Sequence, residues 1–390
     1  MAKKPASKPA PARSKGGPRE PAVREIANPN PDRPPTHPPP LPLDQVLGQD
    51  RAKAILNASI RSGRVHHAWI FHGPRGVGKF TAALSFAALL LDPTTTSPAK
   101  GPPRADPDSP VARLLATGSH PDLHVVRKEL ARYHEDPRIR ERKLSNIPVD
   151  VVRTFLLDPG NLAAAVSGPS LASKVFIVDE AELLAGPAQN AVLKFLEEPP
   201  ERTVVILVTS SEEALLPTIR SRCQRVPFLP LTPTDLSAWL KRAGISLHAA
   251  ERDWLIAFAQ GAPGVIDAAS RLGLAAWWQR LAPMLDQCAQ GLYSPDLGPA
   301  CHQLVDEFAQ AQEKSGPNVS KDASNKEGAA WMLRLLAHRW SATLATSPDA
   351  SLACLDAISA SEHEIDANVN LLFVFEKLSA EFADASSTRV

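Results

Sequence analysis

"HGPRGVGKFT", residues 72–81, decides the fold. Gly73, four residues, Gly78 and Lys79 have the spacing of a phosphate-binding loop. Gly76 and Gly78 let backbone amides turn toward a phosphate, and Lys79 would neutralise its outer oxygens. The helix that follows would add the partial positive charge of its N-terminus. The next position ordinarily carries a hydroxyl that ligates the magnesium of the nucleotide, but here it is Phe80. Thr81 does not simply take over, because one residue turns a helix by about 100°, although it stays within reach of a phosphate. A tight glycine turn with an exposed lysine is the plainer reading of the same residues.

The flanks favour the loop. "AWIFHG" (68–73) is a short apolar strand running into it, and "FTAALSFAALLL" (80–91) is an apolar helix leaving it. Upstream, "DRAKAILNASIRSG" (50–63) has a helical pattern with Ala54, Ile55 and Ile60 on one side and Gly63 as its stop. Downstream, Val175–Val178 reads as a buried parallel strand ending in Asp179 and Glu180. Pro187 opens a helix running to Glu198, and "TVVILVTSS" (203–211) is a further buried strand. Alternating strands and helices predict an α/β fold with a largely parallel sheet. Such sheets bind ligands at the carboxyl ends of their strands. There an aspartate would hold magnesium and a glutamate would orient water, which are the roles open to Asp179 and Glu180.

Organisation outside this layer is simpler. Residues 1–42 hold 13 of the 38 prolines among lysines, arginines and alanines, and are expected to be a disordered tail. The α/β domain spans 43–228 and contains a Pro/Thr/Ser-rich exposed excursion at 92–119. After Phe228 strand signals vanish. "TPTDLSAWLKRAG" (232–244) opens a small helical unit over 229–272, and a larger all-α domain follows over 273–385, interrupted by a polar break at 313–328.

Composition excludes several classes. A net charge of +1 makes the whole molecule no magnet for nucleic acid or anionic membrane. Cys223, Cys288, Cys301 and Cys354 are too scattered for zinc or a disulfide framework. No apolar run reaches membrane-spanning length. The N-terminal lysines lack the apolar core of a secretory signal, so a cytoplasmic location is expected.

"VLGQ" (46–49), "HHAWIFHGPRGVGK" (66–79), "VDEAELL" (178–184), "NAVLKFLEEPP" (190–200) and "TIRSRC" (218–223) resemble, in order and spacing, the bacterial clamp-loader subunits of the AAA+ superfamily. That family includes the gamma/tau and delta-prime types and the eukaryotic replication factor C. The resemblance covers about residues 43–270 and implies an AAA+ phosphate-loop domain, a helical lid and an all-α collar that holds a hetero-pentamer together. It implies that Arg222 is an arginine finger, reaching the ATP site of a neighbouring subunit, where a guanidinium stabilises charge on the transferring phosphoryl group. Without the resemblance, "TIRSRC" is only a polar turn with two arginines.

The departures from the family narrow the reading. Motor subunits carry the hydroxyl missing at Phe80, and a lid arginine in a motif resembling G-S-x-R. Here the matching stretch is "GAPG" (261–264), which puts Gly264 in that place. With two hydrolytic groups missing and Arg222 kept, the pattern resembles the delta-prime type of the DNA polymerase III clamp loader. It implies a subunit without ATPase activity of its own, acting with gamma/tau and delta subunits, the sliding clamp and primed DNA, and with no membrane. No cofactor is then required, and the degenerate loop, Gly73, Gly76, Gly78, Lys79, Thr81, Asp179 and Glu180, holds ATP or ADP weakly if at all. The interval 80–178 has no cysteine where relatives bear a four-cysteine zinc module, so no zinc or other metal is expected. The alternatives are a gamma/tau-type motor that hydrolyses ATP itself and a stand-alone phosphate-loop kinase. In the second, "LEEPP" and "SRC" would have no role.

Other residues rate lower. His66, His67 and His72 crowd the strand before the loop, but alternation along a strand would point His66 and His67 opposite ways, against a shared metal. "RIRERK" (138–143) reads as a solvated loop, Trp277 and Trp278 as a helix packed on both sides, and Cys223 as a small packing residue.

Overall fold

The structure, a computed structural model, describes residues 36–141, 145–166, 168–245, 248–314 and 321–387. Strands β1 (Ala68–His72), β2 (Leu123–Val126), β3 (Lys174–Val178), β4 (Thr203–Thr209) and β5 (Gln224–Pro227) form one sheet in the order β2-β3-β4-β1-β5, with every neighbouring pair parallel. A parallel sheet needs helical crossovers, so both its faces are covered. This is why β4 is buried along its whole length and reads as an unbroken apolar run.

Helix α1 (Asp50–Ser62) precedes β1, and α2 (Lys79–Leu91) leaves the glycine loop. Helix α3 (Pro110–Ala116) follows. Between β2 and β3 come the short helices α4 (Pro137–Arg140), α5 (Val149–Val152) and α6 (Asp158–Asn161), the last two joined through a π turn at Arg153–Leu157. Helix α7 (Gly186–Glu197) links β3 to β4, and α8 (Pro217–Arg222) links β4 to β5. Val175 and Ile177 of β3 face the core shared with α1 and α2, while Phe176 and Val178 face the core shared with α7.

The rest is helical among the described residues. Helices α9 (Pro233–Arg242), α10 (Ala249–Ala259) and α11 (Pro263–Leu272) come first. Thr232 caps α9 by accepting the Asp235 amide. Then follow α12 (Leu274–Ala289), α13 (Leu297–Glu313), α14 (Lys321–Ser341), α15 (Pro348–Asp366) and α16 (Leu371–Ser387). Trp277 packs edge-on to Phe308 of α13, whereas Trp278 lies against Trp254 of α10, so α12 is sandwiched as its tryptophan pair suggested. No helix among the described residues is long and apolar enough to cross a membrane.

Several expectations change. The buried face of α1 is Ala52, Leu56 and Ile60, at i, i+4 spacing, and Ala54 is exposed. The excursion at 92–119 is structured: Asp92 accepts from Thr94 and Ser109, Ser109 caps α3, and Thr96 bridges Arg104. The expected tail runs too far, because His37 is buried and Gly118 packs on Thr36 and His37, while residues 1–35 lie outside the described ones. Residues 321–328 of the polar break belong to α14, where Gly328 lets the helix pack close on Phe308. The end of the basic cluster, 142–143, lies outside the described residues.

Candidate functional site

The glycine loop sits at the carboxyl end of β1. Gly73 (φ 137°), Gly76 (φ 81°) and Gly78 (φ 98°) all take backbone conformations that a side chain resists. At Gly73 a Cβ would lie 2.1 Å from the Phe228 carbonyl oxygen, so only glycine lets the loop pass β5. Gln49 holds the loop from behind. Its amide donates to the carbonyls of Val77 (3.2 Å) and Leu229 (2.7 Å) and accepts from the Leu229 amide (3.1 Å). That gives the "VLGQ" stretch a physical role: one buried side chain joins the loop to the segment entering α9.

Lys79 is buried and turned inward, donating to the carbonyls of Gly73 (2.6 Å) and Pro74 (2.7 Å). Burial lowers its pKa to about 8, against the opposing pull of Glu182 and Asp179. Thr81 is half-buried on α2. Asp179 and Glu180 follow β3 as expected, with Glu180 in the left-handed region (φ 51°).

Sequence reasoning missed the partners of these acids. Strand β2 pairs with β3 so that Val126 faces Val178, and each strand then continues with two charged residues. "VVRK" (125–128) therefore lies beside "IVDE" (177–180), base against acid. Arg127 Nε is 3.3 Å from Asp179 Oδ2, an ion pair without the angle of a hydrogen bond, and Lys128 Nζ is 3.0 Å from Glu180 Oε2. Arg75 of the loop reaches the other Glu180 oxygen at 3.2 Å. The guanidinium of Arg127 also lies over the Phe80 ring, 4.3 Å from its centroid. Burial raises the Asp179 pKa against the pull of Arg127. The matching pair of dipeptides after two apolar runs was the signal available in the sequence.

Gly264 lies directly on the loop. Its amide donates to the Gly76 carbonyl (2.9 Å), and a Cβ on it would fall 2.9 Å from Gly76 Cα. The place of the lid arginine is thus filled by backbone on both sides. With Phe80 where a hydroxyl is needed, Asp179 engaged by Arg127 and Gly264 sealed on Gly76, these residues do not fit a magnesium-bound nucleotide.

Arg222 is elsewhere. Pro227 of β5 pairs with His72 beside the loop, and Arg222 closes α8, which enters β5 from the opposite end of the sheet. It is exposed, with Nη2 2.8 Å from Glu197 of "LEEPP" and Nη1 donating to the Thr218 carbonyl. The structure brings the loop, Asp179 and Glu180 together and sets Arg222 apart from them.

The remaining candidates carry little. His66 and His67 do not point opposite ways: β1 starts only at Ala68, and their rings stack with centroids 4.6 Å apart. His67 instead meets the Leu196 carbonyl (3.1 Å). Among the described residues no three His, Cys, Asp or Glu side chains are grouped to hold a metal. Cys223 is half-buried, and burial pushes its thiol up to about 12.

Residues 48–232 match the family described as "DNA polymerase III, delta subunit". These residues, just under half of the chain, are similar to DNA polymerase III subunits. The chain is 30% identical to DNA polymerase III subunit delta' of Bacillus subtilis over 202 residues, 52% of this chain and 54% of that one. It is 36% identical to the Pseudomonas aeruginosa subunit delta' over 198 residues, 50% and 53% of the two chains. The gamma/tau subunit of Mycobacterium tuberculosis H37Rv is 34% identical over 207 residues, 52% of this chain and 31% of that one. The match thus spans about half the length of the delta' relatives, and both types resemble the α/β half to a similar degree. A solved Thermotoga maritima protein, titled gamma subunit-related, matches loosely, with 17% identity over 86% of this chain and 100% of that one, at a TM-score of 0.36.

Proposed function

We propose that this chain is a delta-prime-type subunit of a DNA polymerase III clamp loader, bracing the ring in the cytoplasm and assisting hydrolysis next door. One observation carries the reading: the loop end of the sheet has Phe80 and Gly264 where hydrolysis calls for a hydroxyl and an arginine, while Arg222 stands exposed at the other end. An arginine so far from its own loop can act on a nucleotide only in another subunit. That subunit would be of the gamma/tau type, with a delta subunit, the sliding clamp and primed DNA completing the assembly. Arg222 is the finger in this reading. Gly73, Gly76, Gly78, Lys79, Thr81, Asp179 and Glu180 form a vestigial nucleotide site. No zinc takes part.

Reconstitution with cognate gamma/tau and delta tests it. The chain alone should hydrolyse no ATP, and adding it should raise DNA- and clamp-stimulated hydrolysis by the others. The similarity to gamma/tau relatives favours a second reading, a motor subunit. Turnover by the purified chain at ordinary enzyme rates, ~1 per second or more, would select the motor.

A further inference from the structure

We propose that Arg127 is this chain's internal replacement for a nucleotide's magnesium: held on the Phe80 ring and against Asp179, it closes the metal position of the loop. The inference goes beyond the assignment above, since a delta-prime-type subunit could bind magnesium–ADP without hydrolysing it.

Two features carry it. The first is register. Because β2 and β3 run parallel with Val126 beside Val178, Arg127 emerges beside Asp179 and Lys128 beside Glu180. The acid that would hold a metal and the one that would orient water are met by two bases that follow the adjacent strand, at 3.3 and 3.0 Å. Magnesium needs a carboxylate oxygen at about 2.0–2.1 Å in near-octahedral geometry. A guanidinium against the same Asp179 oxygen excludes it by space and by charge.

The second is Phe80. A residue that had merely lost its hydroxyl need not be aromatic. Phenylalanine offers a flat, electron-rich face that suits a planar guanidinium, and Arg127 lies 4.3 Å over that face. Phe80 and Arg127 are thus complementary, one from the start of α2 and one from the end of β2. The neighbourhood is closed in the same sense: Lys79 is turned to the loop's own carbonyls, and the Gly264 amide occupies the Gly76 carbonyl. Arg127 therefore acts as a positioning residue, pinning α2 and the loop to β3 by a charge that no ligand has to supply.

Two measurements on the full chain test this. Manganese with ADP, titrated and followed by electron paramagnetic resonance, should show no stoichiometric binding by the wild type. Binding of one manganese per chain that Asp179→Asn abolishes would overturn the proposal. In thermal unfolding, Arg127→Ala should lower Tm by ~3–6 °C in the wild type. The same change should have under half that effect in the Asp179→Asn background and in the Phe80→Ala background. Arg127→Lys, which keeps the charge but loses the flat face, should recover only part of the loss. Equal falls in all three backgrounds would mean that Arg127 packs without pairing, and the proposal would fail.

Discussion

Gly264→Ala probes the contact that seals the loop. The added carbon would sit 2.9 Å from Gly76 Cα and 3.2 Å from the Gly76 oxygen. Carbon contacts settle near 3.5–4.0 Å, so one backbone must move by roughly half an ångström or more. Neither yields easily. Gly76 is held at φ 81° within a loop that Gln49 and Lys79 both bind, and Gly264 sits in the first turn of α11 behind Pro263. Overpacking of this kind costs about 1–3 kcal/mol. Alanine's better helix propensity offsets up to about 1 kcal/mol of it. The expected net loss is ~1–2 kcal/mol in urea unfolding, with faster hydrogen exchange at the Gly264 amide, now donated to Gly76. Gly264→Arg should lose more, because its side chain would have to cross the loop, and it should not confer ATP hydrolysis. An alanine variant within about 0.5 kcal/mol of wild type, with unchanged exchange at that amide, would refute the packing of α11 on the loop.

Arg222→Ala should leave the chain folded and able to join a reconstituted complex, because an exposed ion pair to Glu197 adds little stability. A finger is worth roughly 10³–10⁵ at the site it serves, so total stimulated ATPase should fall partially and clamp loading more; wild-type loading would remove the finger role. Gln49→Leu should cost ~2–4 kcal/mol in urea unfolding, because it strands the Leu229 amide and the carbonyls of Val77 and Leu229. Lys79 gives a pH signature. Its folded pKa of about 8 lies below the ordinary 10.5, so the unfolded chain holds more protons between those values and stability rises with pH there. Between pH 8 and 9.5 the wild type should gain ~1.5 kcal/mol relative to Lys79→Met, and a flat difference would contradict the burial of that ammonium.

Three of the five strands, β1, β3 and β4, and the loop were legible because they rest on local rules; β2 and β5, four residues each, were not read from the sequence. Buried parallel strands read as apolar runs, and a glycine loop between strand and helix has few other uses. The missing hydroxyl at Phe80 and the glycine at 264 were legible too, but only as absences. What filled them was not, because Arg127 meets Asp179 through strand pairing across about fifty residues of sequence, and Gly264 meets Gly76 across more. The helix read over 50–63 was right in span but wrong in face, since Ile55 suggested a stripe that the i, i+4 series of Ala52, Leu56 and Ile60 displaced. The histidine pair failed for a similar reason: alternation applies within a strand, and β1 begins only at Ala68, after both of them. Composition misjudged 92–119, where prolines and threonines are organised by one buried carboxylate, Asp92.

The aromatic seam beside α12 has an optical consequence. Trp254 of α10, Trp278 of α12 and His338 of α14 converge, with the indoles 6.1 Å apart and His338 5.6 Å from Trp278. Phe258 stacks on Trp254 at 5.0 Å. Two of the chain's seven tryptophans thus share one half-buried junction of α10, α12 and α14. Burial keeps His338 uncharged near neutrality, so it is a weak quencher there. If α9–α11 swing away from α12, those indoles part and meet water, and their emission moves to the red. The molecule thus carries its own fluorescent gauge of any such movement, readable without a label.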